Sequence, residues 1–86
     1  MTHYSEHPGT VRVDYFRPSG KWYMTEAVDM DGYWGELIPH SAVEKALTDH
    51  WEDTRGPDRK DAWRQFTIVV LDPYHHNGYP VMLVAE

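Results

Sequence analysis

The sequence predicts an α+β domain in which one helix packs on one face of an antiparallel sheet of four to five strands, in the order β-β-(β)-α-β-β. Three observations favour this fold. Several segments alternate apolar and polar residues, as half-buried strands do. A single stretch in the middle of the chain repeats its apolar residues at helical spacing. One helix laid over a sheet is the simplest arrangement that covers the apolar faces of both.

The chain begins with a segment that shows no periodicity. Residues 1–9 are polar and end in His-Pro-Gly, so we expect a flexible N-terminal arm. The remaining residues 10–86 fit one domain, because a chain of 86 residues leaves no room for a second.

The first strand is predicted in the segment TVRVDYF, where Val11, Val13 and Tyr15 alternate with polar residues. A turn follows, because Pro18 presets its φ angle and Gly20 tolerates a positive φ. The return strand KWYMTEAV carries an acidic exception, Glu26, on its apolar face. The residues expected to point to the core from that face are Trp22, Met24 and Val28.

The middle of the chain predicts a turn, a short strand and then the helix. Asp31 and Gly32 form a turn signal, and Tyr33–Leu37 reads as a short third strand. In SAVEKALTDHWED, Ser41 and Glu44 have the spacing of a capping box, so the helix is expected to run from Ser41 to about Asp53. Gly-Pro at positions 56 and 57 ends the pattern. The apolar face of the helix comprises Val43, Ala46, Leu47, His50 and Trp51.

Two further strands are predicted after the helix. The continuous apolar run Phe66–Leu71 is typical of a central strand that is covered on both faces. The last strand, YPVMLVAE, begins near Pro80 and contains no lysine that would discourage pairing with another chain. If it lies at the edge of the sheet, residues 81–85 of two copies can pair, and we expect a homodimer through this edge. The alternative is a central strand that pairs with Phe66–Leu71 on one side and with the N-terminal hairpin on the other, in which case this argument for a dimer does not apply.

The composition narrows the classes of partner. The formal net charge of −6 argues against nucleic acid, because neutralising phosphates requires a basic surface. It also argues against docking to an anionic membrane, whereas a basic protein partner stays open. No apolar run reaches the length of a membrane span, so we expect a cytoplasmic protein. The chain has no cysteine, which removes thiolate nucleophiles and cysteine-based zinc sites.

The hairpin motif YFRPSGKWY, followed by a helix and a closing PVML segment, resembles small uncharacterised proteins encoded by actinobacterial phages. The resemblance covers most of the chain, but its motif is a hairpin and not a catalytic signature. It implies a phage accessory protein that acts on a host protein in the cytoplasm of the host cell. It implies no activity and carries over no functional residue.

A long loop contains two adjacent histidines, His75 and His76, within the segment LDPYHHNGYP. A zinc site needs a third and usually a fourth ligand, and this spacing matches no known metal motif. No closed set of ligands can be written, so we expect no bound metal and no cofactor. The loop is longer than most hairpin connections and holds aromatic residues, which favours a recognition surface or an inert tip.

The predicted helix ends in acidic residues, although the helix dipole favours cations at that end. Asp49, Glu52 and Asp53 crowd the last turns. Two explanations are open. Basic residues that follow in the sequence can fold back and pair with these acids, or the acids are kept for a basic partner. The basic residues in question are Arg55, Arg59 and Lys60.

Other polar residues give no catalytic pattern. His50 on the apolar helix face is expected to be a core or boundary residue. Asp29 and Asp31 resemble half of a calcium loop, but the segment supplies too few ligands. No catalytic residue is therefore assigned.

These observations favour a small non-enzymatic protein-interaction module. The alternative is a small metal-binding or hydrolytic protein that uses His75 and His76 with nearby carboxylates. The residues proposed for the interaction surface are Tyr33, Trp34, Asp49, Glu52, Asp53, Tyr74, His75, His76 and Tyr79.

Overall fold

The computed structural model of the protein describes residues 10–30, 37–72 and 82–84. They form an α+β fold, which confirms the predicted class. Two short 3₁₀ turns, Pro57–Arg59 and Ala62–Gln65, connect the helix to the strand that follows it. The main elements are β1 (Thr10–Phe16), β2 (Trp22–Asp29), α1 (His40–Arg55) and β3 (Thr67–Leu71).

Strand β1 coincides with the predicted segment and lies in the middle of the sheet, whose order is β2-β1-β3. Both neighbours pair with it in the antiparallel direction. Val11, Val13 and Tyr15 are buried, as the alternation predicts. Gly20 has a φ of 92° in the connecting turn, a conformation that glycine adopts without strain.

The core lies between this sheet and α1, with contributions from the second 3₁₀ turn and from residues 82–84. Trp51 and Leu47 of α1 are buried there, as predicted. The buried apolar residues are Val11, Val13, Tyr15, Val28, Met30, Ile38, Val43, Leu47, Trp51, Trp63, Val70 and Leu83.

Asp14 interrupts the alternation of β1, because it is only 5% exposed. Arg12 donates two hydrogen bonds of 3.1 Å to its carboxylate, from Nε and Nη2. The hydroxyl of Thr25 donates a third, of 2.6 Å. Burial opposes ionisation of Asp14, but the hydrogen bonds from Arg12 and Thr25 outweigh it and hold the pKa of this carboxyl below its usual value.

Trp22 does not point to the core as predicted, because its side chain is 59% exposed. The register between β1 and β2 shifts between Tyr15 and Phe16, so Tyr15 lies opposite Met24 while Phe16 lies opposite Trp22. Such a bulge places one extra residue in a strand and breaks the alternation beyond it. The prediction failed at Trp22 because the alternating pattern was continued through this bulge.

Helix α1 begins one residue earlier than predicted. Its N-cap is Pro39, whose φ of −61° and ψ of 146° are the extended angles of that position, and no side chain caps the helix. The carbonyl of Pro39 accepts hydrogen bonds from the N–H groups of Ala42 and Val43. The predicted capping box is therefore wrong, because Ser41 already lies inside the first turn.

The end of α1 agrees with the prediction. The backbone N–H of Gly56 donates a 2.9 Å hydrogen bond to the carbonyl of Glu52, and Gly56 has a φ of 101°. Residues that carry a side chain rarely adopt a φ of this size, so a glycine at this position allows the backbone to leave the helix. Pro57 then begins the first 3₁₀ turn.

Strand β3 pairs with β1 on one side, and on its other side residues 82–84 contact it through the bridge from Leu71 to Met82 and the hydrogen bond from the Leu83 N–H to the Val70 carbonyl. It therefore has neighbours on both sides, although the second neighbour forms no continuous ladder with it in the described residues. Ile68 and Val70 of β3 pack against the core, while Thr67 is exposed and Val69 is half-buried. Phe66 lies just outside the strand and contacts the ring of Tyr15 at a centroid distance of 5.8 Å. The apolar run Phe66–Leu71 thus consists of two parts. Phe66 makes an aromatic contact with the core, and the remaining residues form a strand that is covered mainly on one face.

The described residues form three strands and not the predicted four to five. Residues 82–84 make only isolated bridges, between Leu71 and Met82 and between Ile38 and Val84. Both backbone groups of Leu83 are used, since its N–H donates to Val70 and its carbonyl accepts from Ile38. The free edge that was predicted for the last strand is therefore occupied at Leu83, whereas dimerisation itself stays a prediction.

Several predictions lie outside the described residues. They concern the arm of residues 1–9, the turn and strand over residues 31–36, and residues 73–81 and 85–86. Within the described ranges, no helix is long and apolar enough to cross a membrane.

Candidate functional site

An open groove of about 760 Å³ lies between α1 and the C-terminal end of β2. Helix residues at positions 42, 45, 46, 49, 50 and 53 recur every three or four positions, so their side chains share one side of α1. This stripe runs beside the buried stripe of the same helix, which includes Leu47 and Trp51. The regular spacing of residues along an α-helix is therefore enough to place these side chains together on one wall of the groove.

The floor of the groove is apolar and consists of small or buried side chains. Ala42 and Ala46 are half-buried, and Met30, directly after β2, is buried. An alanine projects only a methyl group from the helix, so space is left where a longer side chain would meet the sheet. The two alanines thus create the groove.

The rim of the groove is acidic. Asp29 contributes from the end of β2, and one lysine, Lys45, lies among the helix residues. Lys45 Nζ is 2.8 Å from Asp49 Oδ2, but both side chains are largely exposed, and such pairs contribute little. With four carboxylates and one lysine, the formal charge of the rim is −3 while His50 is neutral. The four carboxylates belong to Asp29, Asp49, Glu52 and Asp53.

Three residues of the predicted interaction surface meet in this groove, namely Asp49, Glu52 and Asp53. In the part of the chain that the structure describes, neither Arg59 nor Lys60 forms an ion pair with any of them. Arg55 turns to the sheet instead, where its Nη2 is 2.7 Å from Glu26 Oε2. The explanation that these basic residues fold back onto the acidic helix end is therefore wrong.

Glu26, the acidic residue on the apolar face of β2, is the partner to which the Arg55 side chain turns. It lies opposite Val13 on the face of the sheet that α1 covers. Its Oε2 accepts the hydrogen bond from Arg55, and its Oε1 accepts one of 2.8 Å from the hydroxyl of Tyr15. A half-buried carboxylate is a stronger partner for an arginine than a solvated one, because water screens it less.

Trp51 and His50 complete this network. Trp51 Nε1 donates a 2.9 Å hydrogen bond to the hydroxyl of Tyr15. The guanidinium of Arg55 lies 3.7 Å from the centroid of the Trp51 ring, in cation–π geometry. His50 Nε2 is 3.5 Å from Glu26 Oε1, and the same imidazole lines the groove. The network therefore extends from the core to the wall of the groove.

The environment shifts two pKa values in opposite directions. Burial opposes ionisation of Glu26, but hydrogen bonds from Arg55 and Tyr15 and the charge of Arg55 outweigh it and lower the pKa of this carboxyl. Burial raises the pKa of the Tyr15 hydroxyl, and its hydrogen bond to Glu26 acts in the same direction. Tyr15 is thus a neutral donor and Glu26 an ionised acceptor, which favours a structural role that holds α1 on the sheet.

The other residues of the predicted surface lie outside the described ranges: Tyr33, Trp34, Tyr74, His75, His76 and Tyr79. Among the residues that are described, no three histidine, cysteine, aspartate or glutamate side chains converge as ligands for a metal.

Sequence reasoning missed three titratable residues of the groove. Lys45 and His50 carried a signal, because they lie on the helix stripe next to the buried one, but His50 was interpreted as a core or boundary residue and not as part of a binding surface. Asp29 is 20 positions from Asp49 in the sequence, and only the packing of α1 beside the end of β2 brings them to one groove.

Comparisons of the chain with protein-family models, with curated proteins and with solved structures find no match. The functional interpretation therefore depends on the geometry of the groove and of the network.

Proposed function

We propose that the protein is a non-enzymatic interaction module that binds a basic segment of another protein in the groove between α1 and β2. The observation that carries this proposal is the convergence of acidic side chains from two elements. Asp29 from the sheet joins Asp49 and Asp53 from the helix around an apolar floor. A lysine or arginine side chain fits such a site, because its apolar stem can cover the floor while its charge meets the rim.

The position of the acids supports the proposal. Glu52 and Asp53 lie in the last turns of α1, where each carboxylate costs roughly 0.3–1 kcal/mol against the helix dipole before screening. The nearest arginine in the sequence, Arg55, pairs with Glu26 instead, and among the described residues no ion pair forms with Glu52 or Asp53. Local arrangements that lower stability are expected where a ligand binds.

Strand β2 offers a second means of holding the partner. Within the described residues, nothing pairs with the edge of β2 that faces away from β1. An extended peptide can add to such an edge through backbone hydrogen bonds, and neighbouring pockets then select its side chains. Because Asp29 ends β2 and also lines the groove, a peptide that follows this edge reaches the acidic rim.

The resemblance to actinobacterial phage proteins favours a host protein as the partner. In this form of the proposal the protein is a phage accessory protein that acts in the cytoplasm of the host. Its action would be stoichiometric binding, since the proposal assigns it no reaction.

A pair of double variants tests the proposal. Asp49→Asn/Asp53→Asn removes two charges from the groove, whereas Asp58→Asn/Asp61→Asn removes two from exposed positions outside it. Binding of a fluorescent oligolysine peptide is measured by anisotropy at low salt. We expect the groove variant to bind about tenfold more weakly than the wild type, which corresponds to roughly 1.4 kcal/mol. The control variant has the same net charge and should bind nearly as well as the wild type.

The same two double variants also test whether a protein partner binds in the groove. A protein that the wild type captures from host lysate in a fixed ratio should be lost with the groove variant and kept with the control variant. Equal loss in both variants, for the peptide and for the captured protein, would show attraction by net charge alone and would overturn the proposal.

A further inference from the structure

His50 occupies a position between the groove and the core. Its side chain is 22% exposed, it lines the groove, and its Nε2 lies 3.5 Å from Glu26 Oε1. We propose that His50 makes the groove sensitive to pH, so that protonation of its imidazole weakens the binding of a basic partner. This inference depends on the proposed function, because it concerns the regulation of the same groove.

Charged and titratable groups face His50 from two sides. On the core side are Glu26 from β2, Tyr15 from β1 and Arg55 from α1, which share one hydrogen-bonded network. On the groove side are the acidic rim and its single lysine. These groove residues are Asp29, Lys45, Asp49, Glu52 and Asp53.

The network places an acceptor beside the His50 ring inside the packed structure. Glu26 Oε1 lies 3.5 Å from His50 Nε2, so a protonated ring faces a carboxylate on its core side. Arg55 Nη2 pairs with the other oxygen of that carboxylate, at 2.7 Å. The partial exposure of the ring gives it access to water and to protons.

Protonation changes the charge that a ligand meets. Histidine is the side chain whose ordinary titration falls between about pH 5 and pH 8, where exposed carboxylates stay ionised and lysines stay charged. One proton on His50 changes the formal charge of the groove wall from −3 to −2. A cationic ligand is then held less strongly. By reciprocity, binding of the ligand should release protons from the wild-type protein.

The test measures affinity for an oligolysine peptide at about pH 6 and about pH 8, at constant ionic strength. We expect the wild type to bind about threefold more weakly at the lower pH. His50→Gln should lose most of this dependence, and His50→Lys should bind weakly at both pH values. His40→Gln serves as the matched control, because His40 lies at the other end of α1 and outside this groove, and it should behave as the wild type.

Calorimetry in two buffers of different ionisation enthalpy gives a second measurement that needs no variant. Proton release by the wild type near pH 6.5 is expected, and its absence would overturn the inference even if a His50 variant failed to fold. Equal affinity of the wild type at both pH values, or full pH dependence in a folded His50→Gln protein, would also overturn it. In these cases binding itself persists and the proposed function stands, whereas no binding at either pH would overturn the proposed function.

Discussion

The indole N–H of Trp51 donates a hydrogen bond of 2.9 Å to the hydroxyl of Tyr15, and this contact joins the helix to the central strand. The two rings also touch, with centroids 5.6 Å apart and planes at 59°. Because the same hydroxyl donates onward to Glu26, one buried oxygen atom connects α1 with both β1 and β2.

Removal of the Tyr15 hydroxyl should lower the unfolding free energy more than removal of a single oxygen atom from the protein surface. Tyr15→Phe leaves the indole N–H of Trp51 without its acceptor, and a buried unpaired group costs about 1–3 kcal/mol. It also removes one hydrogen-bond donor from Glu26 Oε1. Urea unfolding measures the loss. Tyr23→Phe is the control, because no described residue hydrogen-bonds to the hydroxyl of Tyr23, and it should change stability by less than about 0.5 kcal/mol. Equal effects of the two substitutions would contradict the network.

The Trp51 side chain should contribute a large part of the stability of the fold. Trp51→Ala removes a buried ring together with its hydrogen bond and its contact with Arg55, and the expected loss is about 3–5 kcal/mol. Many small domains unfold after a loss of this size. Trp22→Ala makes the same chemical change at an exposed position and should leave the protein folded. Far-ultraviolet circular dichroism shows whether each variant is folded, and urea titration measures how much unfolding free energy each variant has lost.

Acid should weaken the protein through Glu26. The pKa of Glu26 is lower in the folded chain than in the unfolded chain, so its ionisation stabilises the fold fully above the unfolded value of about 4.3. This contribution is lost as the pH falls through the lower, folded pKa. The unfolding free energy of the wild type should therefore drop below about pH 4.3, and that of Glu26→Gln should drop less steeply. Asp14 acts in the same direction, so Asp14→Asn is needed in both backgrounds to separate the two carboxyls.

Ser41 should be dispensable for the helix. Loss of an N-cap hydroxyl costs about 0.5–2 kcal/mol, but Pro39 occupies that position and Ser41 is exposed inside the first turn. Ser41→Ala is therefore expected to change the unfolding free energy by less than about 0.5 kcal/mol, and alanine can even improve the helix. A loss above about 1 kcal/mol would restore the capping box.

A chelator should leave the melting temperature unchanged. This prediction concerns His75 and His76, for which the sequence offers no closed set of ligands. Metal binding contributes directly to folding where a site is structural, so EDTA would lower the melting temperature by several degrees if such a site existed. Differential scanning fluorimetry with and without EDTA, after dialysis against zinc, gives the answer.

Local patterns in the sequence predicted those elements whose contacts are themselves local. The alternation of Val11, Val13 and Tyr15 identified β1, and the helical spacing of Leu47 and Trp51 identified the buried face of α1. The failure at Trp22 has a long-range cause, because the bulge depends on how β1 and β2 pair. The order of the strands is equally long-range, since β1 is central only because the chain returns after the helix to add β3 beside it.

The candidate site was predictable in part for the same reason. The charges of Asp49, Glu52 and Asp53 conflict with the helix dipole, and this conflict is visible in the sequence. Glu26 stood out as an acidic exception on an apolar face, and a charge in such a position needs a partner when it is buried. Its partner could not be identified without the structure, since Arg55 had three nearby acids as alternatives and turns away from all of them.

The inward position of Glu26 has a consequence for the accuracy of folding. A slip of the first hairpin by one residue would turn every side chain of β2 to the opposite face. Glu26 would then leave both Arg55 and the hydroxyl of Tyr15, and Thr25 would leave the carboxylate of Asp14. Each face of the hairpin thus carries polar contacts that only the native alignment satisfies. A misaligned hairpin separates Glu26 from Arg55 on one face and Asp14 from Thr25 on the other, so these contacts disfavour misaligned pairing at the open edge of β2.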